Sequence, residues 1–227
     1  MPLTPDNHES NGSRVPFGIP RSTAGLANHW AHDALQLIAS LPTVSVSLRA
    51  DSCYIIRDLE RAPIYIASMP FQDVCCGIEE DDVSFSVMTS MYEPLFRIQT
   101  FGDRFCRGVP YIEGYVKLHP DTELGMIEGD INTVFLLKTN SGDNFCSIEL
   151  MENEGGVCSC SQRVYEVKPL SSPHDIGSIT TDSDLYLILN FPRVFDVLRR
   201  TLLLSCVISM QYQIEADRRR SRSRTGI

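Results

Sequence analysis

Long hydrophobic runs are scarce in this chain. One stretch alone is sustained, Leu202 to Met210, and it is nine residues long, whereas a bilayer span needs about 20. Extending it to Val194–Ile214 reaches a spanning length but brings in Asp196, Arg199, Arg200, Gln211 and Gln213, each costly in hydrocarbon without a polar partner. Basic residues flank the segment on both sides, so the positive-inside bias assigns no orientation. Within the run the apolar groups leave no polar stripe, and a helix that is apolar all round belongs inside protein. Leu202, Leu203, Leu204, Val207 and Ile208 are therefore the expected contents of a core.

Other absences narrow the chemistry. No secretory signal precedes the eight cysteines, so reduced, intracellular thiols are expected. Zinc sites are built from C-x-x-C pairs or histidines at metal spacing, but the close pairs here are adjacent (Cys75–Cys76) or C-x-C (Cys158–Cys160). They read instead as small buried residues or acylated surface thiols. There is no Gly-rich phosphate loop, no G-x-S-x-G and no legible Cys/His or Ser/His/Asp pairing, so covalent catalysis is not expected. Asp121 and Glu123 of HPDTEL read as a solvated turn.

What is present is a chain of 227 residues, enough for one domain with tails. Its formal charge is -9, yet Arg218, Arg219, Arg220, Arg222 and Arg224 carry +5 within the last ten residues, leaving -14 on residues 1–217. An acidic body repels nucleic acid and anionic lipid, so attraction to either must come from the tail. Residues 1–24 hold four prolines and many small polar residues without apolar periodicity, the composition of a disordered arm. From Gly25, the spacing of Leu26, Trp30, Ala34, Leu37 and Leu41 predicts a short amphipathic helix. His29 and His32, with no cysteine nearby and Asp33 alone as an acidic neighbour, read as surface residues.

Ten short β-rich runs follow: 44–48, 53–58, 63–68, 83–89, 95–101, 111–118, 133–138, 145–150, 163–170 and 185–191. Many alternate with period two, and turn residues such as Asn140-Ser-Gly-Asp143 separate them, which indicates an antiparallel barrel or sandwich. The order, strands and then one apolar helix, suggests a sheet curling around that helix. The fold class expected is α+β, mostly β.

Several segments, in order, resemble the phospholipid scramblase family, whose fold is similar to the C-terminal domain of tubby proteins. They are YIIRDLERAPIYIA (54–67) followed by Cys75-Cys76, Gly125-Met126-Ile127 after YIEGYVKLHPDTEL, VCSC (157–160) leading into VYEVKPL, Ile176-Gly-Ser-Ile179, and Asn190-Phe-Pro192 before the apolar helix. The resemblance covers residues 25–217 and leaves 218–227 as a basic tail. It implies a closed antiparallel barrel of about 12 strands around a central hydrophobic helix. In function it implies ATP-independent, calcium-responsive movement of phospholipids between leaflets, by a protein at the cytoplasmic face of the plasma membrane or passing through it once.

The resemblance also implies a calcium segment. Asp182, Asp184, Phe191-Pro192 and Asp196 match the family pattern by type, with Asn190 and the Ile188 carbonyl as further oxygens. Calcium takes six to eight oxygens, so these carboxylates supply part of a shell. The spacing departs from the family, with one extra residue before Phe-Pro and the last aspartate two positions late. Read as an EF-hand loop from Asp182, the segment has Leu187 where glycine is needed and Arg193 where glutamate is needed. The alternative is a turn at 182–184 and a helix cap at Asp196.

Where scramblases carry a palmitoylated cysteine cluster, this chain has FGDRFCRGV with Cys106 alone. Stable lipid anchoring takes two signals, and Cys75, Cys76 and Cys106 are the candidate acylation sites beside the Arg tail. The tail itself could bind anionic lipid with Ser221 and Ser223 as phosphorylation switches, act as a nuclear-import or nucleic-acid patch in a cytoplasmic or nuclear protein, or be a solvated end. Two functions follow: lipid scrambling, or a tubby-like membrane-binding or adaptor module without transport.

Overall fold

Period-two alternation lets a strand bury one side chain in two, and here the buried sides all face one lumen. The computed structural model describes residues 34–50, 53–69, 83–101, 112–151, 163–182 and 186–225. A helix at 34–40 (α1) leads into β1 (Thr43–Ala50), β2 (Cys53–Arg57), β3 (Pro63–Ser68), β4 (Val83–Thr89), β5 (Pro94–Phe101) and β6 (Ile112–Leu118). Then come β7 (Thr122–Gly129), β8 (Val134–Thr139), β9 (Asn144–Leu150), β10 (Val164–Pro169), β11 (Gly177–Thr181), β12 (Tyr186–Asn190) and α2 (Val197–Thr225). Each strand pairs antiparallel with the next, and β12 pairs with β1, so the sheet closes into a twelve-stranded barrel.

Register fixes which residues point inward. Val44 lies opposite Leu189, Ile56 opposite Tyr65, Ile127 opposite Leu137, and Tyr165 opposite Ile179. All eight are buried. The outward face carries ion pairs instead: Lys138 with Glu128, and Lys168 with Glu149 (2.7 Å) and Glu166 (3.2 Å). This is the inverse of a transmembrane barrel, whose apolar band faces outward.

An eight-stranded barrel is just filled by its own side chains. Twelve strands leave a lumen, and α2 occupies it. The helix is buried without interruption from Arg200 to Gln211, and Leu202, Leu203, Leu204, Val207 and Ile208 are 0–2% exposed. Burying five such side chains contributes about 8–15 kcal/mol as an upper estimate, comparable with the whole stability of an ordinary domain. Three hydroxyls share the interior. Thr201, Ser205 and Ser209 each donate to the carbonyl four residues earlier, at 2.8, 2.8 and 3.0 Å, so none is buried unpaired.

Two strands, β7 and β11, were not expected from the sequence, and both contain an inward glycine. A Cβ on Gly125 would lie 2.2 Å from the Lys138 carbonyl oxygen and 2.9 Å from Leu202 Cδ1. On Gly177 it would lie 2.5 Å from the Asn190 carbonyl and 2.7 Å from Pro192 Cδ. Glycine weakens the local strand signal, yet these are the places where the helix and its lead-in run closest to the wall. In α1 the inward face also differs from the expected one. Leu35 and Ile38 face the core, while Leu37, expected inward, is 42% exposed. Both faces have helical spacing, and contacts decide between them: the Tyr65 hydroxyl donates to the Ala34 carbonyl (2.5 Å), and Arg200 reaches the Ile38 and Leu41 carbonyls.

Gly125→Ala will destabilise the barrel by about 3 kcal/mol through overpacking, against about 1 kcal/mol for Gly142→Ala, whose added methyl meets open space at a φ of +87°; urea unfolding measures both. Burial holds the Cys146 thiol up at about 12 and the Cys206 thiol well above its ordinary value, against about 8.5 in an unfolded chain. The folded state favours the neutral thiol, so this contribution is complete below about pH 8.5 and is lost as pH rises from there towards 12. The unfolding free energy from urea titrations will hold to about pH 8 and then fall, by up to about 1.4 kcal/mol per pH unit per thiol. Cys146→Ala will lower the midpoint at pH 7 but flatten that slope.

Candidate functional site

An antiparallel meander has two ends. The turns after β2, β4, β6, β8 and β10 lie at one, together with α1 and the start of α2; the connections after odd-numbered strands lie at the other. The first is the entry end and the second the far end.

Entry of α2 is fixed by charge and hydrogen bonds. Asp196 caps the helix: its Oδ1 accepts the Arg199 N–H at 2.9 Å, and its carbonyl accepts the Arg200 N–H at 3.0 Å. Arg200 is 8% exposed. Its Nε donates to the Phe195 carbonyl (3.0 Å), its Nη1 donates to the carbonyls of Ile38 (3.2 Å) and Leu41 (2.7 Å), and its guanidinium lies 5.1 Å from the Phe191 ring centre. The cation thus adds a donor to the Ile38 carbonyl, which also accepts the Leu41 N–H (3.3 Å), and to the Leu41 carbonyl, at the C-terminal end of α1 where the helix dipole is negative. Burial lowers the Arg200 pKa, and Asp175 acts in the opposite direction. Among the polar residues in the apolar segment, Arg200 looked like an argument against lipid alone; its role as a clamp between two helices was legible only as a charge that needed partners.

The calcium candidates are distributed along β12 and beyond. Asp182 closes the β11–β12 hairpin, its N–H donating to the Tyr186 carbonyl at 2.9 Å. Asn190 stands at the opposite end of β12, four residues from Tyr186, about 13 Å along the strand. Its Oδ1 accepts from Thr43 (2.7 Å) and its Nδ2 donates to Ser178 (2.9 Å), tying three strands together. Ile188 lies mid-strand between Ser45 of β1 and Thr180 of β11. Calcium–oxygen distances are about 2.3–2.6 Å, so Asp182, Ile188, Asn190 and Asp196 do not share one coordination sphere. Asp184 lies outside the described residues, as do Cys75, Cys76 and Cys106. Among the described residues, no group of three His, Cys, Asp or Glu side chains is placed to hold an ion.

At the far end α2 reaches the rim. The Phe85 and Tyr212 rings meet edge to face at 5.7 Å, as do Tyr54 and Phe85. Glu215 accepts from the Tyr54 hydroxyl (3.3 Å) and from Gln211 Nε2 (2.8 Å). Phe85 and Tyr54 sit near the first residues of β4 and β2, so Glu215 marks the edge of the barrel wall. Beyond it the helix continues from Ala216 to Thr225, ten residues or about 15 Å of axis. On these turns lie Arg218, Arg219, Arg220, Arg222 and Arg224. Arg218 is half-buried with Nη1 unpaired; the other four side chains lie outside the described residues. That helix extends this far was not legible in RRRSRSRTGI. The buried Glu215 likewise gave no sequence signal, because its partner Tyr54 is far away in the chain.

Among the described residues no helix is long and apolar enough to cross a membrane. Comparison with known proteins gave no matching family model, no matching curated protein and no matching solved structure.

Removing the cap tests the two readings of Asp196. Asp196→Ala will lower stability by about 1 kcal/mol, equally with and without calcium, in urea unfolding. A loss seen in calcium alone would make it a ligand.

Proposed function

We propose that this chain is a tubby-like module related to the scramblases that sits on anionic phospholipid surfaces and acts as a membrane-bound adaptor, with no lipid path of its own. The observation that carries the reading is the division of α2: its apolar part is caged by the barrel, while the same helix continues beyond Glu215 through the sequence Arg218–Arg224. An acidic body of charge -14 is repelled by an anionic leaflet. The helix lessens this, since Arg222 and Arg224 lie about 10–14 Å of axis beyond Glu215, further than the Debye length of about 8 Å at physiological salt. Arginines at its tip meet the lipid, at about 1 kcal/mol each, while the body stands in the screened region. Acylation at Cys75, Cys76 or Cys106 would supply the second anchoring signal that stable attachment requires. A caged helix offers no transbilayer route, which favours binding over scrambling.

Co-sedimentation with phosphatidylserine vesicles tests the proposal. Binding is expected to weaken steeply with salt and to fall by at least about 100-fold when residues 218–224 are deleted. Binding that ignores the deletion, or that resists carbonate extraction, would overturn it. Accelerated exchange of a labelled lipid between leaflets, in vesicles holding the full chain, would replace adaptor with scramblase.

A further inference from the structure

Three hairpin turns at the entry end share one backbone geometry. In residues 58–62, 89–93 and 139–143 the first N–H donates to the fifth carbonyl (3.1, 2.9 and 3.0 Å), and the fourth N–H donates to the first carbonyl (3.1, 2.9 and 2.9 Å). The fourth residue in each has positive φ: Arg61 at 64°, Tyr92 at 65° and Gly142 at 87°. Glycine adopts that conformation freely, whereas a bulky side chain is strained there. The β8–β9 turn uses the inexpensive solution, Asn140-Ser141-Gly142. In the same geometry the β4–β5 turn presents Met91 and Tyr92, and the β2–β3 turn presents Leu59. These three are 79%, 67% and 67% exposed.

Neither burial nor turn geometry explains these side chains. The backbone of the β4–β5 turn is well satisfied, Thr89 Oγ1 accepting from both Met91 and Glu93 N–H groups (3.2 Å each), so the tips stand on a fixed frame. Because β3 pairs with β4, the two turns are neighbours, about 10 Å apart at two strand spacings. Exposed Leu170, Ile176 and Val194 extend the apolar character around the same end. The turns at 119–121 and 140–143 stay polar.

We propose that Leu59, Met91 and Tyr92 form a docking surface for a protein segment that presents an apolar face bordered by Lys or Arg. Charge selects this occupant. Asp58, Glu60 and Glu93 flank the tips against Arg57 and Arg61, a net negative border that disfavours an anionic leaflet and would set like charges face to face between two copies of this chain. Met and Tyr are also favoured at the centres of protein interfaces. The inference rests on the turns alone and is independent of the membrane reading.

The test uses the full chain, a synthetic amphipathic helix of Leu and Lys, and its Leu/Glu counterpart. Tyr92→Gly is expected to melt at the same or a higher temperature than wild type, yet to bind the Leu/Lys peptide about tenfold more weakly, with Leu59→Ser and Met91→Ser behaving alike. The Leu/Glu peptide should bind wild type at least about tenfold less well. A lowered melting temperature for Tyr92→Gly would show that the ring serves the fold and overturn the proposal. Equal peptide binding by wild type and variants would do the same. So would absent peptide binding, and especially its replacement by phosphatidylcholine vesicle binding or by dimerisation in sedimentation that these substitutions remove.

Discussion

A helix can occupy a barrel only if the wall leaves room for it, and this requirement accounts for most of the unusual residues in the chain. An α-helix with its side chains is about 10–12 Å across. Twelve strands provide the lumen, but the fit is close enough that the wall has glycine at 125, facing Leu202, and at 177, facing Pro192. The filling is mixed: aliphatic side chains supply the favourable burial, while Thr201, Ser205 and Ser209 keep the rod narrow and satisfy themselves against their own backbone. A wider residue at any of these places would have to move a strand, and in a closed barrel moving one strand disturbs both neighbours.

The same requirement explains why a cation lies at the entrance. α1 ends over the mouth of the barrel with its carbonyls pointing towards α2. Arg200, in the first turn of α2, supplies donors to the Leu41 carbonyl and, beside the Leu41 N–H, to the Ile38 carbonyl. A buried charge is tolerable when it is held by fixed acceptors, here the Phe195, Ile38 and Leu41 carbonyls, with the Phe191 ring 5.1 Å away. The polar residues that made the Val194–Ile214 segment unsuitable for lipid are those that dock it in protein.

Much of this architecture was legible in the sequence, and the parts that were not share a cause. Alternation in VSFSV, VYEV and YLILN reads as strand because neighbouring large residues repeat the signal, and a strand-rich body followed by one apolar run reads as a cage and its contents. β7 and β11 were hidden because their inward positions are held by glycine, whose reason lies in another element. Likewise, Glu215 is intelligible only beside Tyr54, and Leu37 points outward only because Arg200 and Tyr65 fix the turn of α1. For the candidate sites, residue type alone suggested oxygens for calcium in Asp182–Asp196. Geometry assigns Asn190 to a bridge across three strands and Asp196 to a helix cap, uses that also favour Asn and Asp and that spacing cannot distinguish from coordination.

The threading of α2 also gives the molecule a direction. The helix enters among tight turns with exposed Leu, Met and Tyr side chains and leaves among the odd-numbered connections with a run of arginines. Because one rigid rod of about 44 Å joins the two ends, a surface that holds the arginine tip necessarily turns the apolar rim away from itself. On the proposed reading, charge acts in the same sense, since an acidic body is repelled from an anionic leaflet. Orientation on a membrane and presentation of the opposite rim, as proposed, would then both follow from the same packing, in which the barrel wall clamps the apolar half of the helix and leaves its two ends to different neighbours.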